Sequence, residues 1–134
     1  MAKKIIHVAH ETKMPLSPGV RAGDFIFVSG QVGYENPTTG EQLKTIEAQT
    51  RQCLDNTKEV LQAAGASLKD AVKVNVYLRN ATDFEKMNQV YRTYFTADLP
   101  ARCTIVPALT QPMLLVEIEC TAYSPEIAKP GQTN

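Results

Sequence analysis

The sequence predicts an α+β fold in which two helices cover one face of a mixed β-sheet. Two stretches carry apolar residues at helical spacing, and several shorter runs are rich in the β-branched and aromatic residues that favour strands. These segments follow the order strand, strand, helix, strand, helix, strand, strand, which is typical of a sheet with its helices on one side. A chain of 134 residues is long enough for one substantial core and short for two, so we expect a single domain over residues 1–134.

The first part of the chain predicts two strands followed by a loop. Residues 5–8 form a short apolar run, and residues 25–28 form a stronger one that follows turn-like residues at 21–24. Residues 36–40 contain a proline, which fixes φ, and a glycine, which admits positive φ, so a loop is expected there.

Two predicted helices flank the next strand. From Thr45 to Ala64 apolar residues recur every three or four positions over about five turns, and Gly65 is suited to end that helix. Residues 72–78 alternate between apolar and polar, and the side chains expected beneath the helices are Val72, Val74, Val76 and Leu78. Residues 82–85 have the pattern of a capping box that starts the second helix, with an apolar stripe of Phe84, Met87, Tyr91, Tyr94 and Phe95.

The last two predicted strands, within residues 100–121, carry ionisable groups inside apolar runs. Side chains alternate between the two faces of a strand, so Glu117 and Glu119 share one face. If a hairpin connection joins the two strands, Arg102 lies opposite Glu119 and Thr104 lies opposite Glu117. Register is strongly specified where one face is buried, and we therefore predict that Arg102 and Glu119 are neighbours.

The second face of the sheet, away from the helices, is not expected to be simply polar. Tyr77, Leu115 and either Phe25 or Phe27 are the residues that suggest this. An exposed apolar face favours burial against another subunit, so we expect an oligomer.

Composition bears on partners and location. Fourteen basic residues balance fourteen acidic ones, so the chain has no net positive charge that would attract nucleic acid or an anionic membrane. No apolar run approaches the ~20 residues that span a bilayer, and the apolar patch after the first residues is too short for a secretory signal. We therefore expect a cytoplasmic protein without a nucleic-acid or membrane partner.

The C-terminal residues 125–134 lack an apolar anchor and are expected to be mobile.

The cysteines and histidines do not predict a metal or cofactor site. Cys53, Cys103 and Cys120 are odd in number and lack CxxC spacing, so we expect free thiols, with Cys53 and Cys120 in the core. His7 and His10 have no third ligand at matching spacing.

Several fragments, in order and at characteristic spacing over residues 15–123, carry a family resemblance. They are RAGDFIFVSGQ at 21–31, IEAQT at 46–50, AAGAS at 63–67, NQVY at 88–91, PAR at 100–102 and VEIE at 116–119. Together they resemble the Rid family, also called YjgF or reactive intermediate deaminase. The resemblance implies a chorismate-mutase-like subunit, assembled as a homotrimer with a ligand cleft at each subunit interface. It also implies cofactor-free hydrolysis of enamine or imine intermediates to 2-keto acids and ammonia.

The resemblance implies roles for five residues. Arg102 is similar to the arginine that binds the substrate carboxylate, and Glu119 is similar to the acid that orients water. Ser29 and Asn88 resemble polar residues that line the pocket, and Gly30 resembles a backbone contact in the same cleft.

Two further residues, Leu16 and Thr104, are expected to contact the substrate, and both depart from the family pattern. Leu16 stands where the best-known deaminases have a tyrosine, and Thr104 stands where a cysteine commonly follows the arginine by two positions. By alternation, Cys103 is expected to point away from Arg102. A larger substrate, such as the amino-dienoic acid of 2-aminomuconate deaminases, fits Leu16 at least as well as 2-aminoacrylate does.

Plainer interpretations remain open at this point. Arg102 and Glu119 can form a cross-strand ion pair, worth about 0.2–1 kcal/mol, and Glu117 can be the acid in place of Glu119. The hydroxyl of Ser29 can satisfy nearby backbone, and Asn88 can hydrogen-bond a neighbouring loop. A trimer that binds a small carboxylate without converting it is an alternative function. RNA cleavage, attached to some relatives, is disfavoured by the zero net charge.

Overall fold

The computed structural model describes residues 2–126, and the structural statements below refer to that part of the chain. The six strands are β1 (Lys4–Ile6), β2 (Gly19–Ala22), β3 (Phe25–Val32), β4 (Ala71–Leu78), β5 (Ala101–Ile105) and β6 (Val116–Tyr123). The helices are α1 (Ile46–Ala63) and α2 (Phe84–Tyr94), and short 3₁₀ turns precede β4 and α2. Apart from residues 125 and 126, the C-terminal segment that was predicted to be mobile lies outside the described residues.

The predicted α+β architecture is confirmed. The six strands form one mixed sheet in the order β1-β2-β3-β6-β4-β5, in which only β4 and β5 are parallel. Helix α1 packs on β3 and β6, and α2 packs on α1. The face that the helices cover, called the helix face below, contributes Val74, Val76 and Ile118 to the core. The opposite side is called the open face.

Local sequence determines both ends of α1, and the end at Gly65 is as predicted. The Thr45 hydroxyl accepts a hydrogen bond from the Ala48 N–H at 3.1 Å and caps the first turn. At the other end, Gly65 has φ +80°, and the Ala66 N–H donates to the Leu61 carbonyl at 2.8 Å. This pattern ends the helix in a left-handed residue, which glycine adopts without steric cost.

Strand β2 is absent from the sequence prediction, which has a turn at residues 21–24. The turn is shorter, because Arg21 and Ala22 belong to β2 and pair with β3. The side chain of Arg21 is buried, and its guanidinium donates to the carbonyls of Ser124 at 2.6 Å and Ala64 at 3.0 Å. A buried arginine interrupts the apolar alternation from which strands are recognised.

Two further local predictions are wrong. Val72 was expected beneath the helices, but a bulge between Ala71 and Lys73 leaves Val72 43% exposed, and Ala71 is buried instead. Helix α2 has no capping box, since its N-cap is Asp83, which is the last residue of a 3₁₀ turn and makes no capping hydrogen bond through its side chain. Met87 and Tyr91 are buried as predicted, whereas Phe84 is 40% exposed.

The predicted hairpin between the last two strands is also wrong. Strand β5 runs parallel to β4, and β4 separates β5 from β6. Arg102 therefore pairs with Val74 on the helix face, whereas Glu119 pairs with Asn75 on the open face. The physical reason is the connection through α2, since a helix between β4 and β5 brings the second strand back parallel to the first. Arg102 and Glu119 are therefore not neighbours within the chain.

The open face carries apolar surface, as predicted. Phe25, Phe27 and Tyr123 are all exposed, and the ring of Phe25 lies 6.5 Å from that of Phe27 and 5.3 Å from that of Tyr123. Leu115 departs from the prediction, because it packs against the core cluster.

Candidate active site

Arg102 occupies the edge strand β5 and points toward α2. Its Nη1 donates to Asn88 Oδ1 at 2.8 Å. The guanidinium carbon lies 4.8 Å from the ring centroid of Tyr91 and 5.7 Å from that of Phe84. No ion pair within residues 2–126 involves Arg102. The positive charge of Arg102 is therefore stabilised by an amide oxygen and two aromatic rings, and no carboxylate of residues 2–126 pairs with it.

Unpartnered polar groups accompany Arg102. Thr104 shares its face of β5, and the hydroxyl oxygens of Thr104 and Tyr91 are both buried without a hydrogen-bond partner in the described chain. Burial raises the pKa of Tyr91 to about 12 although the charge of Arg102 opposes the shift, so the phenol stays neutral at physiological pH. Buried polar groups without partners are uncommon, and a ligand can satisfy them.

A cleft of about 240 Å³ opens beside the guanidinium. It combines basic and apolar side chains, with no acidic one, and its lining residues are Asn88, Tyr91, Arg92, Phe95, Leu99, Pro100 and Arg102. A cation above apolar walls is suited to a small organic anion.

Glu119 lies on the open face, where two residues of β4 hold one of its oxygens. Oε1 accepts hydrogen bonds from Asn75 Nδ2 at 3.0 Å and from the Tyr77 hydroxyl. The hydrogen bond to Glu119 is the main cause that raises the pKa of Tyr77 to about 12, so Tyr77 stays a donor. Sequence reasoning missed both partners. Their alternation in β4 places them on one face, but only the pairing of β4 with β6 brings them to Glu119.

Glu117 lies on the same face of β6 and packs against Gly30. A Cβ atom added to Gly30 would meet the carboxyl group of Glu117, which would have to move aside. Burial raises the pKa of Glu117, and the nearby charge of Glu119 adds to the effect. Ser29 and Gly30 form a bulge in β3 opposite Glu119, because the register between β3 and β6 shifts there.

Ser29 connects this region to the loop that precedes β2. Its hydroxyl donates to the Ser17 carbonyl at 2.5 Å, and its N–H donates to the Pro18 carbonyl at 3.0 Å. The Ser29 hydroxyl thus hydrogen-bonds a backbone carbonyl, but that carbonyl lies twelve residues earlier in the chain. Leu16 lies in this loop, next to Ser17, and is 52% exposed.

The structure divides the predicted site residues into two groups. Arg102, Asn88 and Thr104 lie together on the helix face at the edge of the sheet. The second group comprises Glu119, Gly30, Ser29 and the loop with Leu16. Cys103 points away from Arg102, as predicted, and is exposed on the open face, whereas Cys53 and Cys120 are buried core residues, as predicted.

The family model described as Endoribonuclease L-PSP, which represents YjgF/Rid proteins, matches residues 7–124. The chain belongs to the YjgF/Rid family. The resemblance found in the sequence is thereby confirmed. None of the helices in residues 2–126 is long and apolar enough to cross a membrane.

Relatives within the Rid family carry two kinds of name. A RutC family protein of Pyrococcus horikoshii is 46% identical over 110 residues, which cover 81% of this chain and 86% of that protein. A 2-iminobutanoate/2-iminopropanoate deaminase of Escherichia coli K12 is 39% identical over 111 residues, with the same two coverages. The crystal structure of the YjgF gene product of E. coli superposes with a TM-score of 0.83 at 36% identity, covering 90% of this chain and 98% of that one.

Proposed function

We propose that the chain is a cofactor-independent deaminase that hydrolyses enamine or imine intermediates, such as 2-aminoacrylate or 2-imino acids, to 2-keto acids and ammonia. The observation that carries the proposal is the guanidinium of Arg102, which borders a cleft and has no ion-pair partner among residues 2–126. The name of the E. coli relative agrees with this chemistry.

In this proposal Arg102 binds the substrate carboxylate. The planar guanidinium matches a carboxylate through two parallel hydrogen bonds, which are about twice as strong as bonds between neutral groups. Asn88 fixes the group by accepting from Nη1. The unpartnered hydroxyl of Thr104, on the same face, is available to a substrate atom.

Glu119 positions the attacking water and accepts its proton. Within one subunit, Arg102 and Glu119 lie on opposite faces of the sheet. The two side chains of a single subunit therefore cannot contact the same substrate molecule. The proposal therefore includes a homotrimer in which Arg102 of one subunit and Glu119 of a neighbour border the same cleft. The apolar open face provides surface for such an assembly. The substrate is already reactive in water, so positioning and proton transfer suffice without a cofactor.

Ammonia release tests the proposal. An amino-acid oxidase can generate 2-iminobutanoate in the assay, and we expect the protein to accelerate its hydrolysis. Arg102→Ala should abolish the acceleration, whereas Arg51→Ala, on the exposed side of α1, should retain it. Equal rates with wild type, Arg102→Ala and buffer would refute the deaminase assignment. In that case, binding of 2-ketobutyrate that depends on Arg102 would favour the alternative of a non-catalytic carboxylate-binding trimer.

A larger amino-dienoic acid of the 2-aminomuconate type is the second candidate substrate, and Arg92 favours it. Arg92 lines the same cleft as Arg102 and follows Asn88 by one helical turn, an axial rise of about 6 Å. A second guanidinium at this position suits a substrate with a second carboxylate. Arg92→Gln should then weaken the binding of 2-ketoadipate and leave that of 2-ketobutyrate unchanged. Equal effects on both acids would refute this role.

We also propose that the protein is cytoplasmic and that its ligand is a small carboxylate rather than RNA. Cys53, Cys103 and Cys120 are free thiols, which fits a reducing compartment. The formal net charge of zero offers little attraction to a polyphosphate backbone.

A further inference from the structure

We infer that Leu99 selects the side chain of the substrate, and that the preferred substrates are 2-imino acids with a branched apolar side chain, such as the imine formed from leucine. The inference rests on the proposed deaminase function and narrows its substrate class. It is carried by the position of an exposed leucine on the wall of the cleft that Arg102 borders.

The polar groups of this cleft are few, and one of them is already paired. Asn88 Oδ1 accepts from Arg102 Nη1 at 2.8 Å, so this amide oxygen is engaged in holding the guanidinium. No acidic residue lines the cleft, and its walls beyond Arg102 include Phe95, Leu99 and Pro100. When the substrate carboxylate binds Arg102, the rest of the molecule therefore meets mainly apolar side chains.

Phe95 provides a fixed part of this apolar wall. Its side chain is buried, and its ring centroid lies 4.6 Å from that of Tyr91, with the two ring planes inclined by 32°. Its backbone N–H donates to the Tyr91 carbonyl at 3.0 Å and completes the last turn of α2. A wall that is already packed in the free protein loses little conformational entropy when a ligand binds against it.

Leu99 is exposed on the same cleft, in the turn that leads from α2 to β5. Its 66% exposure is the largest among the large apolar side chains of residues 2–126. The residue before it, Asp98, has φ +49° and is the one non-glycine residue of that range with a positive φ, a conformation that is uncommon outside glycine. Single exposed leucines are ordinary on protein surfaces, but this one lies in a cleft beside a cation, where a bound side chain would remove it from water.

The size of the cleft favours a side chain larger than a methyl group. The cleft holds about 240 Å³, whereas an apolar cavity of about 150 Å³ is enough to bind benzene. A three-carbon acid on Arg102 would leave much of the cleft filled with water and Leu99 exposed. A branched apolar side chain would displace that water and contact Leu99.

Arg92 favours a different occupant of the same cleft, the second carboxylate of the second candidate substrate described above. Its side chain is exposed, so its charge is well solvated in the free protein. Ion pairs in exposed positions contribute little, whereas the burial of apolar surface is favourable in proportion to its area. The apolar side chain is therefore the occupant that this cleft favours.

Binding of stable keto acids tests the inference without turnover. Calorimetric titration of the full-length protein would compare pyruvate, 4-methyl-2-oxopentanoate and 2-ketoadipate. We expect 4-methyl-2-oxopentanoate to bind at least about tenfold more tightly than pyruvate, since each methylene in an apolar pocket changes affinity by about tenfold or more. Tighter binding of 2-ketoadipate than of 4-methyl-2-oxopentanoate would overturn the inference.

Substitutions of Leu99 test whether this residue makes the selection. Leu99→Ala should weaken binding of 4-methyl-2-oxopentanoate by about tenfold and leave that of pyruvate unchanged, and Leu99→Met, which keeps the apolar volume, should restore the affinity. The matched control is Ile5→Ala, which removes an exposed apolar side chain of β1 at the opposite edge of the sheet and should change neither affinity. Unchanged affinities in Leu99→Ala would overturn the role of Leu99.

Turnover separates this inference from the proposed function. With imines generated by an amino-acid oxidase, kcat/KM should be higher for the imine formed from leucine than for the imine formed from alanine, and Leu99→Ala should lower only the former. Equal values for both imines, unchanged in Leu99→Ala, would overturn the inference and leave the deaminase function intact. No acceleration with any imine would refute the deaminase function, and the keto-acid affinities would still decide whether Leu99 selects the side chain.

Discussion

Arg102 depends on Asn88 for the orientation of its guanidinium. The hydrogen bond between them spans 2.8 Å, and Asn88 is buried on α2. A hydrogen bond to a charged group contributes about 1.5–3 kcal/mol, which corresponds to about a tenfold or larger change in affinity. We therefore expect Asn88→Ala to weaken binding of 2-ketobutyrate by about tenfold or more, as measured by calorimetric titration.

Gln89 provides the matched control for this substitution, because it is the next residue of α2 and its side chain is exposed. Gln89→Ala should leave the affinity unchanged. An Asn88→Ala protein that binds as tightly as wild type would show that Arg102 is oriented by other groups.

Glu117 should make stability depend on pH. Its pKa is raised above the ordinary value of 4.5, so the native state retains a proton that the unfolded chain has lost. The resulting stabilisation is present below that ordinary value and is lost as the pH rises through the native pKa. As the pH rises above 4.5, the free energy of unfolding of wild type should therefore decline relative to that of Glu117→Gln. Urea unfolding at several pH values measures the difference, and curves that stay parallel would contradict a raised pKa of Glu117 in the native state.

At the scale of single elements, α1 ends at a residue whose backbone is in the left-handed conformation. Gly65 has φ +80°, a conformation that costs other residues roughly 1–2 kcal/mol. Gly65→Ala should lower the free energy of unfolding by about 1 kcal/mol with an unchanged dependence on urea concentration, and Gly65→Asn should lower it less. An alanine variant as stable as wild type would show that the end of α1 rearranges without cost.

The elements also show which features a sequence can predict. Both ends of α1 follow from contacts within a few residues, and the extent of the helix and its end at Gly65 were predicted correctly. Strand pairing depends on partners far along the chain. The hairpin prediction assumed that β5 and β6 pair because they are consecutive, whereas β4 lies between them.

The same distinction applies to the candidate site. The roles of its residues were predicted from a family resemblance, and the structure places Asn88 against Arg102. The contacts of Asn75 and Tyr77 with Glu119 could not be predicted, because they require the register between β4 and β6. The prediction that Arg102 and Glu119 are neighbours was wrong for the same reason.

At the scale of the whole molecule, the proposed trimer should depend on the apolar open face. Phe27 is 47% exposed there, and a buried carboxylate without a partner is strongly unfavourable in an interface. Phe27→Glu should reduce the mass measured by light scattering from about three times the 14.8 kDa of one chain to that of one chain, with loss of turnover. Lys58→Glu, exposed on α1, is the control and should remain assembled. An active monomer would contradict the shared cleft.

The central claim is that Arg102 and Glu119 of different subunits act on one substrate, because one subunit presents them on opposite faces of its sheet. Co-expression of Arg102→Ala and Glu119→Gln chains, each with its own tag, tests this directly. Neither variant alone should release ammonia from 2-iminobutanoate. In randomly mixed cyclic trimers about a quarter of the interfaces combine an intact Arg102 with an intact Glu119, so we predict recovery of about a quarter of the wild-type rate. Mixed trimers without recovered activity would contradict the account.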